Sequence, residues 1–185
     1  MASLFWKATF NTFKKWDIKD LFLPINFKNM KIEVGSIAPD FSLYSSEKQK
    51  VSLSDYKGKN VVLLFFPLAF TGVCTKELCN VRDNISIYNN SNANVLAMSV
   101  DSPQTLAKFK EDQKLNFTLL SDFNKVVSEK YGCLYDTFIM DMKGVSKRSA
   151  FVIDKEGKIQ YAEVLENSAE EPNYKAVTDC LATLN

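Results

Sequence analysis

The 185-residue chain has no histidine, and that absence closes off several chemistries at once. Cys–His dyads, Ser–His–Asp triads and most zinc sites depend on imidazole, so none of them operates here. A reactive cysteine in this chain must be activated by a helix N-terminus, by arginine or lysine, and by hydrogen bonds. The close Cys-x-x-Cys pair used by dithiol oxidoreductases is also missing. Charge of either sign is not in excess: 23 Lys and Arg face 22 Asp and Glu, so no global field favours a nucleic acid. No apolar run approaches the length of a membrane span. Without a clear secretory signal, Cys74, Cys79, Cys133 and Cys180 do not read as a disulfide scaffold, and the expected location is cytoplasmic. Cys-x4-Cys without further close pairs is a poor zinc signature, so no metal and no cofactor is expected.

What is present centres on Pro67 to Cys79, P-L-A-F-T-G-V-C-T-K-E-L-C. The apolar run Val61 to Phe66 before it reads as a strand buried on both faces. Pro67 and Gly72 break that pattern as a loop does at a strand end. From about Thr75 the spacing of Leu78, Val81, Ile85 and Tyr88 predicts a helix to about Tyr88. The loop therefore delivers Cys74 to a helix start, where unpaired N–H groups and the dipole favour negative charge on sulfur. Cys74 is expected to be exposed rather than a buried small hydrophobe. Thr71, three residues earlier, can reach the sulfur or a bound oxygen, and Pro67 walls the loop without adding a donor.

The spacing Pro67-x-x-x-Thr71-x-x-Cys74 resembles the active-site motif of the peroxiredoxins of the AhpC/TSA family. Gly35 to Leu43 resembles the family's opening hairpin, Leu53 to Asn60 its approach to the first core strand, and Ser99 to Ser102 the end of the next. Lys147 to Ile159 resembles the late strand that carries an active-site arginine, here Arg148. The likeness spans roughly 31 to 184. It implies an α/β, thioredoxin-like fold: a central mixed sheet with helices on both faces and an N-terminal hairpin. It implies a thiol peroxidase in which Cys74 attacks a peroxide, assisted by Thr71, Pro67 and Arg148, and is recycled by thioredoxin or another thiol reductant. A homodimer is expected. Competing readings are a dithiol oxidoreductase, a redox relay, and a non-enzymatic interaction or chaperone module, since fold alone does not fix function.

Glu77 reads as a supporting residue. On its own spacing it is a first-turn acid or capping-box partner; the resemblance gives it the task of ordering the arginine. Arg82 can pair with Glu77 or Asp83, or stay solvated. Cys79 has two readings, of which the resolving role is the expectation, with Cys180 or a low-molecular thiol as the other resolvers. In the bacterioferritin-comigratory, or Q-type, branch the second cysteine of Cys-x4-Cys resolves the sulfenic acid. The loop sequence is closer to the one-cysteine AhpE-like branch, in which Cys79 is a plain helix residue. Five helical residues separate two side chains by a rise of about 7.5 Å and a turn of about 140°. Resolution by Cys79 therefore requires the first turn to unwind. Cys133 and Cys180 read as small buried hydrophobes.

Elsewhere the pattern predicts a hairpin over 41–53, a strand over 95–100, a helix from Pro103, a strand over 117–120, a helix capped by Asp122, an irregular 136–147, a hairpin around 154–157, and a closing helix from Glu170 to Leu184. Residues 1–30 form a separate aromatic and basic extension that holds both tryptophans, Trp6 and Trp16. Docking on protein, membrane-interface contact or organelle targeting, and loose order are its three readings. The absence of arginine weighs against targeting, and docking is the expectation. Residues 31–185 are expected to form one domain.

Overall fold

The computed structural model describes residues 32–184. The extension 1–30, and the docking expected of it, lie outside the described residues.

The apolar run before Pro67 forms β3 (Asn60–Phe65), buried along its whole length. A strand is buried on both faces only at the centre of a sheet that is covered twice. β3 pairs in parallel with β4 (Ala93–Ser99) and antiparallel with β6 (Ser149–Ile153). β5 (Thr118–Ser121) continues the parallel side, and the hairpin β1 (Ser42–Ser45) and β2 (Lys50–Ser52) closes that edge. β7 (Ile159–Val164) closes the other, giving the order β2-β1-β5-β4-β3-β6-β7.

Successive residues of β3 face opposite ways. Val62 and Leu64, with Phe66 beyond them, enter one apolar cluster; Val61, Leu63 and Phe65 enter another. The first cluster is roofed by α1 (Gly72–Asp83), α2 (Ile85–Asn90), α3 (Pro103–Gln113) and α5 (Tyr174–Ala182). The second is covered by α4 (Val126–Lys130), the 3-10 turn Leu53–Tyr56 and the chain entering β1. Helices lie on both faces, as the sequence predicts, but unevenly. Among the described residues no helix is long and apolar enough to cross a membrane.

Helix boundaries depart from the sequence reading for local reasons. α1 starts at Gly72 rather than near Thr75, because the Thr71 carbonyl already accepts from the Thr75 N–H at 2.9 Å. It stops at Asp83 rather than at Tyr88. At Asn84 the backbone leaves the helical region, φ −108°, and both its N–H and its side-chain amide donate to the Asn80 carbonyl, at 3.1 and 2.9 Å. α5 starts at Tyr174 rather than at Glu170, since Pro172 disfavours helix in the residue before it. Asn173 then caps α5, accepting from the Ala176 N–H at 3.0 Å.

Leu64, 2% exposed, packs under the helices of the first cluster. Its truncation to alanine is expected to cost about 2–5 kcal/mol in urea unfolding. A loss below about 1 kcal/mol would show that this layer collapses around the deletion.

Candidate active site

β3, β4 and β5 end on one edge of the sheet, where antiparallel β6 begins. The chain leaving β3 there is tied down from its neighbours. The Ala69 N–H donates to the Asp101 carboxylate at 2.8 Å, and the same oxygen accepts from the Ser99 hydroxyl at 2.7 Å. The Ser121 hydroxyl, at the end of β5, donates to the Asp101 carbonyl at 2.6 Å. Phe70 adopts a left-handed backbone, φ 64°, and its ring centre lies 5.0 Å from that of Phe109. Such a conformation costs a bulky residue about 1–3 kcal/mol, so the tether and the ring contact together hold the turn. It sets Thr71 as the N-cap of α1 and Cys74 as its third residue. That first turn has N–H groups without intrahelical partners, at the positive end of the helix dipole.

Arg148 stands one residue before β6 and is only 1% exposed. A buried cation needs acceptors on several sides. Its Nη1 donates to the Glu77 carboxylate, and its Nη2 donates to the Ser168 carbonyl at 2.9 Å and faces Cys74 Sγ at 3.4 Å. Burial opposes the charge on Arg148, but Glu77 and the Cys74 sulfur outweigh it and hold its pKa above the ordinary value. Burial pushes the Glu77 carboxyl up, to about 7, against the pull of Arg148.

Cys74 is not exposed as expected. It is 1% exposed and belongs to the first apolar cluster, because α1 begins early and turns the sulfur inward. A cavity of about 240 Å³ reaches it, lined by Pro67, Thr71 and Arg148 and by apolar Leu68, Phe138 and Met140. The Thr71 hydroxyl lines this cavity but donates to the Leu68 carbonyl at 2.9 Å rather than to the sulfur. Glu77 is neither a first-turn acid nor a capping-box partner: with the helix starting at Gly72 it falls in the second turn, fully buried. Arg82 pairs with Asp83 at 2.8 Å and donates to the Gln113 carbonyl at 2.5 Å.

Cys79 lies half-buried further along α1, its sulfur 3.6 Å from Gln113 Oε1 at the end of α3. With both cysteines in one intact helix, Cys74 and Cys79 do not meet, since a disulfide requires Cα atoms within about 7 Å. All four cysteines are free. Cys133 is buried, which pushes its thiol far up, and Cys180, half-buried on α5, is raised by burial as well. The structure thus brings Pro67, Thr71, Cys74, Glu77 and Arg148 together and leaves Cys79 outside.

Three contributors are absent from the sequence reading. Asp101 ends a recognised strand, but its reach back to Ala69 is set by sheet order. Ser168 acts through its carbonyl, which every residue has. Lys76 pairs with Glu171 at 2.5 Å, nearly a hundred positions further along the chain.

A cysteine at a helix start, set against a buried arginine beneath a Pro–Thr loop, defines a histidine-free thiol site on a thioredoxin-like sheet. The AhpC/TSA family profile matches residues 34–162, and the chain belongs to that family: it is a peroxiredoxin, a thiol-dependent peroxidase that uses a peroxide and a thiol reductant. It is 39% identical over 156 residues to alkyl hydroperoxide reductase E of Mycobacterium tuberculosis, covering 83% of this chain and 98% of that one. It is 38% identical over 132 residues to peroxiredoxin Bcp of Escherichia coli, covering 70% and 84%. The fold superposes on a peroxiredoxin-like protein from Aquifex aeolicus with TM-score 0.76 at 30% identity, covering 85% and 91%. The dithiol-oxidoreductase and non-enzymatic readings are not favoured.

Replacing Glu77 with alanine leaves a buried guanidinium without its carboxylate. The expected loss of stability is about 3–5 kcal/mol, and Glu77→Gln, which keeps an acceptor, should lose clearly less. Equal midpoints for the two variants in denaturant titration would contradict this account of the pair.

Proposed function

We propose that Cys74 is the nucleophile that reduces hydrogen peroxide and small organic hydroperoxides. The observation that carries this reading is the Arg148 guanidinium 3.4 Å from Cys74 Sγ. A cation and a helix N-terminus beside one sulfur are the features that sustain a thiolate without imidazole. The thiolate attacks the terminal peroxide oxygen. An S–O bond forms, the O–O bond breaks, hydroxide or alkoxide departs and is protonated, and cysteine becomes a sulfenic acid. Negative charge spreads over sulfur and two oxygens in the transition state, so fixed donors there accelerate the step. Arg148 and the Cys74 N–H supply them. The Thr71 oxygen, its hydrogen committed to Leu68, accepts from the hydroperoxide O–H. Pro67 offers no competing donor, and Glu77 holds Arg148 in place. The apolar wall of the cavity suits an organic tail as well as hydrogen peroxide.

Cys79 is the proposed resolving cysteine, acting after the first turns of α1 unwind. Its half-buried free thiol on the same helix is what supports the role. Thioredoxin is the proposed final reductant, and four free cysteines suit the reducing cytoplasm. A homodimer is proposed because Phe70, Phe123 and Met140 leave apolar surface exposed near the active edge. Residues 31–185 are taken as the catalytic domain.

Arg148→Ala is expected to slow single-turnover peroxide reduction by about 10²–10³-fold, with the far-UV CD spectrum retained. A rate constant equal to wild type removes Arg148 from the site. Intact mass after one equivalent of peroxide tests Cys79. The wild type should carry an internal disulfide, and Cys79→Ser should stop at the sulfenic acid. A wild-type product that is itself a sulfenic acid assigns resolution to an external thiol.

A further inference from the structure

The connection between β7 and α5, residues 165–173, contains neither helix nor strand. It nevertheless provides the Ser168 carbonyl that receives Arg148 Nη2. One end of it is fastened beside β6: the Tyr135 hydroxyl donates to the Glu166 carbonyl at 2.9 Å, and Lys147 pairs with the Glu166 carboxylate at 2.6 Å. The other end is fastened by Glu171. Its Oε1 pairs with Lys76 Nζ at 2.5 Å, and its Oε2 accepts from the Tyr174 hydroxyl, the first residue of α5, at 2.9 Å. Lys76 lies two residues beyond Cys74 on α1. One carboxylate therefore joins the helix that carries the sulfur to the loop that anchors the guanidinium.

We propose that Glu171 is a positioning residue for peroxide reduction: through Lys76 it keeps α1 and the Ser168 carbonyl in register, and so fixes how Arg148 meets Cys74. The inference rests on Cys74 and Arg148 forming the reacting centre. The contact between them is a single donor on a sulfur, and misplacement by about 1 Å at such a contact can cost up to about 10²-fold in rate. Glu171 touches neither sulfur nor arginine in the hydrogen-bond pattern; it acts through Lys76 and through the loop.

The pair has a signature that a packing role lacks. The Lys76 side chain is 75% exposed and that of Glu171 20%, so the contact is open to screening by salt. Hydroperoxides are uncharged, so salt does not alter their encounter with the protein. The Glu171 charge is also felt at Arg148 and Glu77, so the pair is reported by a salt response that disappears with Glu171 and returns on charge reversal, which rebuilds the pair but inverts the charge near Arg148.

The experiment compares reduced full-length wild type, Glu171→Gln, the charge-reversed Lys76→Glu/Glu171→Lys double variant and Cys74→Ser. Single-turnover rate constants with hydrogen peroxide, and alkylation rates of Cys74 with iodoacetamide, are measured at low and high salt. Glu171→Gln keeps an acceptor for Tyr174 and removes only the charge. It is expected to slow both reactions about two- to fivefold at low salt, and to match wild type at high salt. Charge reversal should restore most of the low-salt rate. A Glu171→Gln protein with wild-type rates at both salt levels overturns the proposal. So does a slowing of the same size at both levels, which assigns Glu171 to packing alone. Peroxide reduction that survives in Cys74→Ser overturns instead the reading of the site beneath it, and the proposal with it.

Discussion

A guanidinium with 1% of its surface in contact with solvent is the constraint around which this molecule is arranged. Moving such an ion out of water costs several kcal/mol even after relaxation, so Arg148 persists only where acceptors already converge. Two parts of the chain bring them: α1 brings Glu77 and the Cys74 sulfur, and the segment after β7 brings the Ser168 carbonyl, while β6 fixes the backbone of Arg148 itself. The pairing of β3 with β6 is what sets these parts side by side. Burial, which opposes both charges of the Arg148–Glu77 pair, also keeps bulk water from screening the cation's effect on the sulfur.

The loop after β3 shows how local strain is kept in place at the site. Phe70 sits in a backbone region that bulky residues avoid, and both of its restraints are non-local: the Asp101 carboxylate beneath Ala69 and the ring of Phe109. Released from either, the turn would relax and the first residues of α1 would shift. Cys74 thus owes its place to the ends of β4 and to α3 as much as to its own motif.

Much of this was readable from residues alone, and the limits have physical causes. The β3 run, the Pro67–Thr71–Cys74 spacing and the β6–β7 hairpin carry strong local patterns, and each occupies the expected place. The missed helix ends trace to Asn84 and Pro172, single residues whose effect overrides a hydrophobic period. Cys74 departs from its sequence expectation because a loop rich in breakers reads as surface, whereas an early helix start turns this sulfur inward. The Glu77 partnership follows from likeness to the family, whereas its capping-box reading needs a helix start three residues later than Gly72. The Ser168 carbonyl and the Lys76–Glu171 pair have no linear signature, since they exist only when the sheet is assembled.

The interruption at Asn84 separates α1 from α2, leaving Tyr88 and the covering of β4 on a rod of their own. A disturbance entering at Thr71 finds a built-in firebreak after Asp83. Should resolution by Cys79 require α1 to unwind, Leu78 and Val81 would leave the hydrocarbon layer against the sheet, while α2 would keep Tyr88 packed there.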